Sequence, residues 1–290
     1  MNGVVELGPK DAAPPWSRRW RVLGELTVLW LVTLLAIRLV TVLQTQIPAV
    51  GVVGFQLRDV VLAAVPFLFI YTPVYLCQWR GVDSYAYRIA IPAFDDRAAW
   101  WAAARLFGGV TALALVPYLV GYHLYQNGLA SLLALSGKVG DLDDVRRLSG
   151  HLVSLDWLGV DAWQTLTGTL KPKLLVPPDP VLLVLYHLFY VAIPEEFFYR
   201  GYLQTRLNEI FPRRWMIFGA TVGPGLVIAS LFFAFGHSLV TLRWWHFATF
   251  FPGLMFGWMR ERSGGPLPGA LFHAFCNISV TWLNAAYLGP

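Results

Sequence analysis

Pro194-Glu195-Glu196-Phe197-Phe198-Tyr199-Arg200 puts two adjacent carboxylates and a guanidinium inside the apolar run 180–208. A run of that length can cross about 30 Å of hydrocarbon as a helix, which takes roughly 20 residues. An ionisable side chain in such a span is expensive, so it is a functional candidate by default. Successive helical residues point about 100° apart, so Glu195 and Glu196 cannot share a face and should have different jobs. Glu196 and Arg200 stand at i and i+4, face the same way and can pair, which lowers the cost of both charges. Glu195 is then left to face a polar cavity. Pro194 removes a backbone hydrogen bond and is expected to widen the helix at this point. The competing reading puts all three charges at the membrane interface, beyond the hydrocarbon.

The rest of the chain supports a membrane setting. Of its 290 residues, 57% are hydrophobic and 13% charged, against about 25% charged in soluble domains. Mean hydropathy is +0.55, and 13 Trp, 12 Tyr and 19 Phe can furnish two interfacial belts. The expected fold is all-α, a polytopic helix bundle with seven spans near 24–43, 58–77, 98–124, 180–208, 222–242, 245–260 and 267–287. The sixth is the shortest, and an eighth span or half-span would reverse the C-terminal side. A single membrane domain, 1–290, is expected, with 180–287 as its motif-bearing core and 126–179 as an extramembrane insertion.

Residues 1–21 are polar and carry Pro14, Pro15, Arg18, Arg19 and Arg21, so the first apolar run reads as a retained span rather than a signal peptide. Basic residues fall in short clusters between spans, so nucleic acid is not an expected partner. With the N-terminus cytoplasmic, Lys10, Arg18, Arg19, Arg21, Arg80, Arg88, Arg97, Arg206, Arg213, Arg214, Arg260 and Arg262 lie inside, while Arg58 and Arg243 lie outside. The expected location is a multi-pass protein of a bacterial cytoplasmic membrane. The insertion carries Leu148, Leu152, Leu155 and Leu158 at helix-like spacing, so part of it can lie on the membrane surface and help admit substrate. A bare insertion without function is the equal alternative. Cys77 and Cys276 both sit in apolar runs and suggest no disulfide framework.

Two further runs carry polar groups. His237 follows Gly236, a small residue that lets a neighbouring helix approach. His273 and Asn277 stand at i and i+4 on one stripe of the last run. Interhelical hydrogen bonding would explain each of them alone. His187 lies two helical turns before Glu195 and reads as packing. Cys276 beside Asn277 reads as an inert apolar group. Together, a carboxylate, two imidazoles and an amide suit water-mediated amide hydrolysis. A carboxylate with a His can take a proton from water, and an amide or imidazole donor can stabilise an oxyanion.

These residues also form an ordered pattern. Glu195-Glu196 with Arg200, then Phe233 with His237, then His273 with Asn277, resembles the CAAX protease and bacteriocin-processing family of intramembrane proteases. The intervening Phe251-Pro252-Gly253-Leu254-Met255-Phe256-Gly257-Trp258-Met259-Arg260 is similar to that family's Gly-rich helix. The resemblance covers roughly 180–285; the first 125 residues match no motif. It implies a glutamate-dependent endopeptidase in which Glu195 and His237 activate water. His273 and Asn277 would form the oxyanion site, and Glu196 and Arg200 would support the structure. The implied partner is a membrane-associated protein or peptide, such as a prenylated CAAX protein, a leader peptide or a C-terminal sorting tail. No cofactor is implied. Three alternatives stand beside it. One is a zinc enzyme using Glu195, His237 and His273 as ligands. Another is a non-proteolytic immunity or assembly factor. The last is a transporter, against which the lack of an internal repeat argues.

Overall fold

The computed structural model describes residues 15–47, 51–52, 55–56, 61–83, 92–93, 95–135, 173, 179–213, 215–242 and 244–288. In chain order these form α1 (Trp16–Gln46), a small hairpin of β1 (Gly51–Val52) and β2 (Phe55–Gln56), α2 (Ala64–Trp79) and α3 (Arg97–Leu135). Next come α4 (Pro180–Ile210) and a second hairpin of β3 (Trp215–Ile217) and β4 (Ala220–Val222). The chain continues with α5 (Pro224–Thr241), a 3-10 stretch (Trp244–Thr249), α6 (Phe250–Ser263) and α7 (Leu267–Leu288). The all-α expectation holds.

Among the described residues, four helices are long and apolar enough to cross a bilayer: α1, the Arg97–His123 part of α3, α4 and α5. Of the seven expected spans these four meet that measure of length and apolarity; α2, α6 and α7 do not. α2 is apolar but has 16 residues, about 24 Å of helix. α6, the expected sixth span, has 14 residues, about 21 Å. α7 has 22 residues but carries His273, Asn277 and Asn284, which dilute its hydropathy. The start of the expected insertion is helical, because α3 continues past 126 to Leu135. Pro117 does not stop it, as is common in membrane helices. The rest of the insertion, 136–172 and 174–178, with its charges and leucine stripe, lies outside the described residues. So do Lys10, Arg58, Arg88, Arg214 and Arg243 of the orientation argument.

Helix ends follow local chemistry. α5 opens with Pro224 in its first turn, where no intrahelical N–H is needed. α6 closes on Gly264 at φ 83°, whose N–H donates to Arg260 O at 2.8 Å. This is the left-handed cap that favours glycine.

The chain divides into two compact units. The first comprises the described residues of Met1–Ile91, Pro194–Leu242 and His246–Pro266. Its axis is the second half of α4, which packs on α5, with α1, α2 and α6 also against it. Phe198, Tyr199, Tyr202, Leu203, Leu207 and Ile210 from that half are all buried. The second unit comprises the described residues of Pro92–Ile193, Arg243–Trp245 and Leu267–Pro290. There α7 packs on α3 and on the Tyr186–Ala192 stretch of α4. Phe107 and Phe275 meet edge to face at 6.4 Å between their centroids.

Candidate active site

α4 is not a uniform α-helix. A short α-helical stretch, Ile193–Glu196, lies between two π-helical stretches, Tyr186–Ala192 and Phe197–Leu203. The widening expected at Pro194 is therefore present on both sides of it. π-helical turns are rare and concentrate at functional sites. They also remove the basis for placing His187 two turns from Glu195, because the intervening ladder is not built at 3.6 residues per turn.

In the first unit the helix delivers Glu195 to His237 of α5. Glu195 Oε2 lies 3.6 Å from His237 Nε2, and their side chains are 16% and 26% exposed. Both side chains are thus mostly shielded, and Glu195 Oε2 itself is buried. His237 Nδ1 lies 3.0 Å from Phe233 O. A carbonyl can only accept, so Nδ1 carries the proton and Nε2 presents a lone pair towards Glu195. The imidazole also packs on the Phe233 ring at 4.4 Å between centroids.

Glu196 turns the other way and is fully buried with Arg200. Arg200 Nε donates to Glu196 Oε2 at 3.3 Å. Arg200 Nη1 donates to Ser230 Oγ at 3.3 Å, and Ser230 Oγ donates to Leu226 O at 2.9 Å. The guanidinium lies 5.0 Å from the centroid of Phe233, a cation–π contact that eases its desolvation. The i, i+4 pairing read from sequence is present, and it separates the two carboxylates as expected.

Glycines admit these large groups. A Cβ on Gly253 would stand 3.1 Å from Arg200 Nη2 and 3.3 Å from Phe233 Cδ1. One on Gly236 would stand 2.6 Å from the Tyr199 hydroxyl and 3.4 Å from Trp30 Nε1. Tyr199 is i+4 from Glu195, and its ring meets Phe233 edge-on at 5.1 Å. α1, which carries no recognised motif, thus reaches the residue beside His237 through Trp30.

A second polar cluster lies past the end of the 245–260 run. Glu261 accepts from Gln204 Nε2 (2.8 Å), Asn208 Nδ2 (2.7 Å), Arg213 Nη1 (2.8 Å) and Arg260 Nη1 (2.8 Å). Burial alone favours the neutral acid, but Arg260, Gln204, Arg213 and Asn208 outweigh it and hold the carboxyl below its ordinary range. This cluster ties the end of α4 to α6.

His273 and Asn277 belong to the second unit. His273 is buried and Asn277 half-buried on α7. His187 lies within electrostatic range of His273, and its buried Nδ1 has no hydrogen-bond partner among the described residues. Among the described residues, no three His, Cys, Asp or Glu side chains converge as a metal-binding group.

Sequence reading missed Ser230, Tyr199, Trp30 and the Glu261 cluster. Ser230, Phe233 and His237 recur at i, i+3 and i+7, a spacing that could have exposed the first. Nothing local in Trp30 announces its neighbour, 169 positions away at Tyr199.

Residues 177–279 match the family model described as "Rce1-like: Type II CAAX prenyl endopeptidase Rce1-like". No curated protein and no solved structure matches the chain. The matched segment contains Glu195, Glu196, Arg200, His237, His273 and Asn277. The resemblance read from the ordered motifs is thereby supported at the level of the family.

Proposed function

We propose that this chain, an Rce1-like CAAX protease over residues 177–279, cleaves a membrane-associated protein or peptide with water activated by Glu195 and His237. The observation that carries this reading is the 3.6 Å between Glu195 Oε2 and His237 Nε2. With Nδ1 donating to Phe233 O, both facing atoms are acceptors. The separation is too long for a direct hydrogen bond. It suits one water, about 2.8 Å from each and off the line between them, donating a hydrogen to both. The oxygen lone pairs of that water then point away from both acceptors, towards a substrate carbonyl. As the water attacks, a proton passes to Glu195 or His237, and that group returns it to the leaving amine.

The family resemblance carries the remaining assignments. His273 and Asn277 would donate to the oxyanion of the tetrahedral intermediate. Glu196 and Arg200 would hold α4 in place without touching substrate. The chemistry requires no metal in this scheme, and the N-terminus is cytoplasmic by the distribution of arginines.

The test compares membrane-fraction proteomes of cells carrying the wild-type chain or Glu195→Gln, searching for a shifted protein terminus. Glu195→Gln is expected to abolish one or a few processing events while the protein accumulates normally. Purified protein acting on the identified substrate should lose roughly 10²–10⁴-fold in rate. Processing retained by Glu195→Gln would overturn the mechanism. Activity is expected to persist in chelator; loss restored by added zinc would replace the scheme with a metalloprotease.

A further inference from the structure

Of the four candidate spans, Arg97–His123 is the least enclosed, at 6% buried against 22–39% for the others. At its start a cavity of about 400 Å³ is lined by Arg97, Trp100, Trp101 and Ala104. That volume falls within the range of small-molecule sites. The indole N–H of Trp100 donates to Ala93 O at 3.0 Å, which fixes its ring as one wall. Trp101 is 67% exposed.

Arg97, Trp101 and Arg105 stand at i, i+4 and i+8, on one stripe of α3. Both arginines are exposed, and neither guanidinium has an ion pair or hydrogen bond among the described residues. Two carboxylates lie near. Asp96 Oδ1 accepts from the Ala99 N–H at 3.0 Å, so it is turned to the helix start. Asp95 precedes the helix, and neither acid lines the cavity.

Arg105 lies eight residues into the span, about 12 Å along the axis from Arg97. An exposed arginine at such depth is costly unless its guanidinium reaches an anion or the interface. Two long side chains flanking Trp101 can converge on one phosphate, and Arg suits phosphate better than Lys because its donors form a planar fork. Beyond them the stripe continues through Ala104, Gly108 and Ala112, all exposed. Nothing lies within 4 Å of where a Gly108 Cβ would be. This leaves an uncovered stripe of small residues against which an extended hydrocarbon chain can lie.

We propose that this face of α3 binds an anionic glycerophospholipid, its phosphodiester held by Arg97 and Arg105 across Trp101, with an acyl chain along Ala104 and Gly108. A zwitterionic headgroup fits less well, because its ammonium would meet two guanidiniums at close range. The site is independent of the protease reading, since it uses none of the residues that reading invokes.

The experiment is native mass spectrometry of the full chain, released from membranes holding equal phosphatidylglycerol and phosphatidylethanolamine. The wild type is expected to retain one phosphatidylglycerol. Arg97→Ala with Arg105→Ala should reduce that retention at least tenfold, and Trp101→Ala should reduce it severalfold. All three positions are exposed, so melting temperatures should stay at the wild-type value. Inorganic phosphate added in tenfold excess over lipid should displace nothing. The proposal is overturned by unchanged retention in the double variant or in Trp101→Ala. Equal retention of both lipids by the wild type, or displacement by phosphate, would overturn it as well.

Discussion

The charged groups of the first unit and the neutral polar groups of the second are held in different ways. In the first unit three buried charged side chains belong to networks: Glu196 with Arg200, Arg200 with Ser230 and the face of Phe233, and Glu261 with four donors. Along α7 neutral hydrogen bonds recur. The Tyr122 hydroxyl donates to Asn284 Oδ1, and His123 Nδ1 lies 2.6 Å from the Tyr287 hydroxyl. The difference follows from desolvation. A buried charge needs a counter-charge and further hydrogen bonds before burial becomes tolerable. A phenol or amide carries no net charge to compensate, and in a membrane the loss of one partner can be absorbed by another.

The comparison breaks most visibly at Arg200. Arg200→Met leaves Glu196 buried without its counter-charge and is expected to destabilise the folded state by about 3–5 kcal/mol. Adding Glu196→Gln should recover most of that loss. The measurement is reversible unfolding in detergent micelles, and a single variant no weaker than wild type would erase the distinction drawn here.

A smaller effect is expected where a glycine of the first unit meets Tyr199. Gly236→Ala sets a Cβ 2.6 Å from the Tyr199 hydroxyl, an overpacking that costs about 1–3 kcal/mol. Because Gly236 adjoins His237, the rate on an identified substrate should fall further than the stability loss accounts for. Trp30→Phe in the same background removes one crowding neighbour and should restore part of the melting temperature. No restoration would show that α1 does not brace this position.

The smallest effect belongs to the second unit. Tyr122→Phe removes one interhelical hydrogen bond and should cost about 0.6 kcal/mol, and no more than about 1.7. Thermal unfolding compared directly with Arg200→Met measures the ratio. A Tyr122→Phe loss as large as that of Arg200→Met would mean that charge has no special weight in this fold.

Much of this was legible before any coordinate. The membrane setting and helical class come from long apolar runs, a property of composition. The separate duties of Glu195 and Glu196 come from a single i, i+4 relation, because Arg200 can reach only one of them. Among the described residues, four of the seven expected runs are helices long and apolar enough to span. α2, α6 and α7 are helices, as read, but a hydropathy run records neither how far a helix extends nor how polar its buried face must be. Gln126 and Asn127 look like loop residues, yet α3 carries them on as helix to Leu135.

What the sequence determined by itself is which groups are polar inside an apolar chain, and which neighbours along one helix can pair. Those facts depend only on residue type and helical repeat. Tertiary structure alone decided that His237 turns Nε2 to Glu195 at 3.6 Å, that Ser230 receives Arg200, and that Trp30 of a motif-free helix borders Gly236. Pro194 signalled a widening of α4, but packing decided that it takes the form of two π-helical stretches flanking Glu195. Each of these depends on contact between segments far apart in the chain, or on a backbone register that packing selects. Neither leaves a period in the sequence.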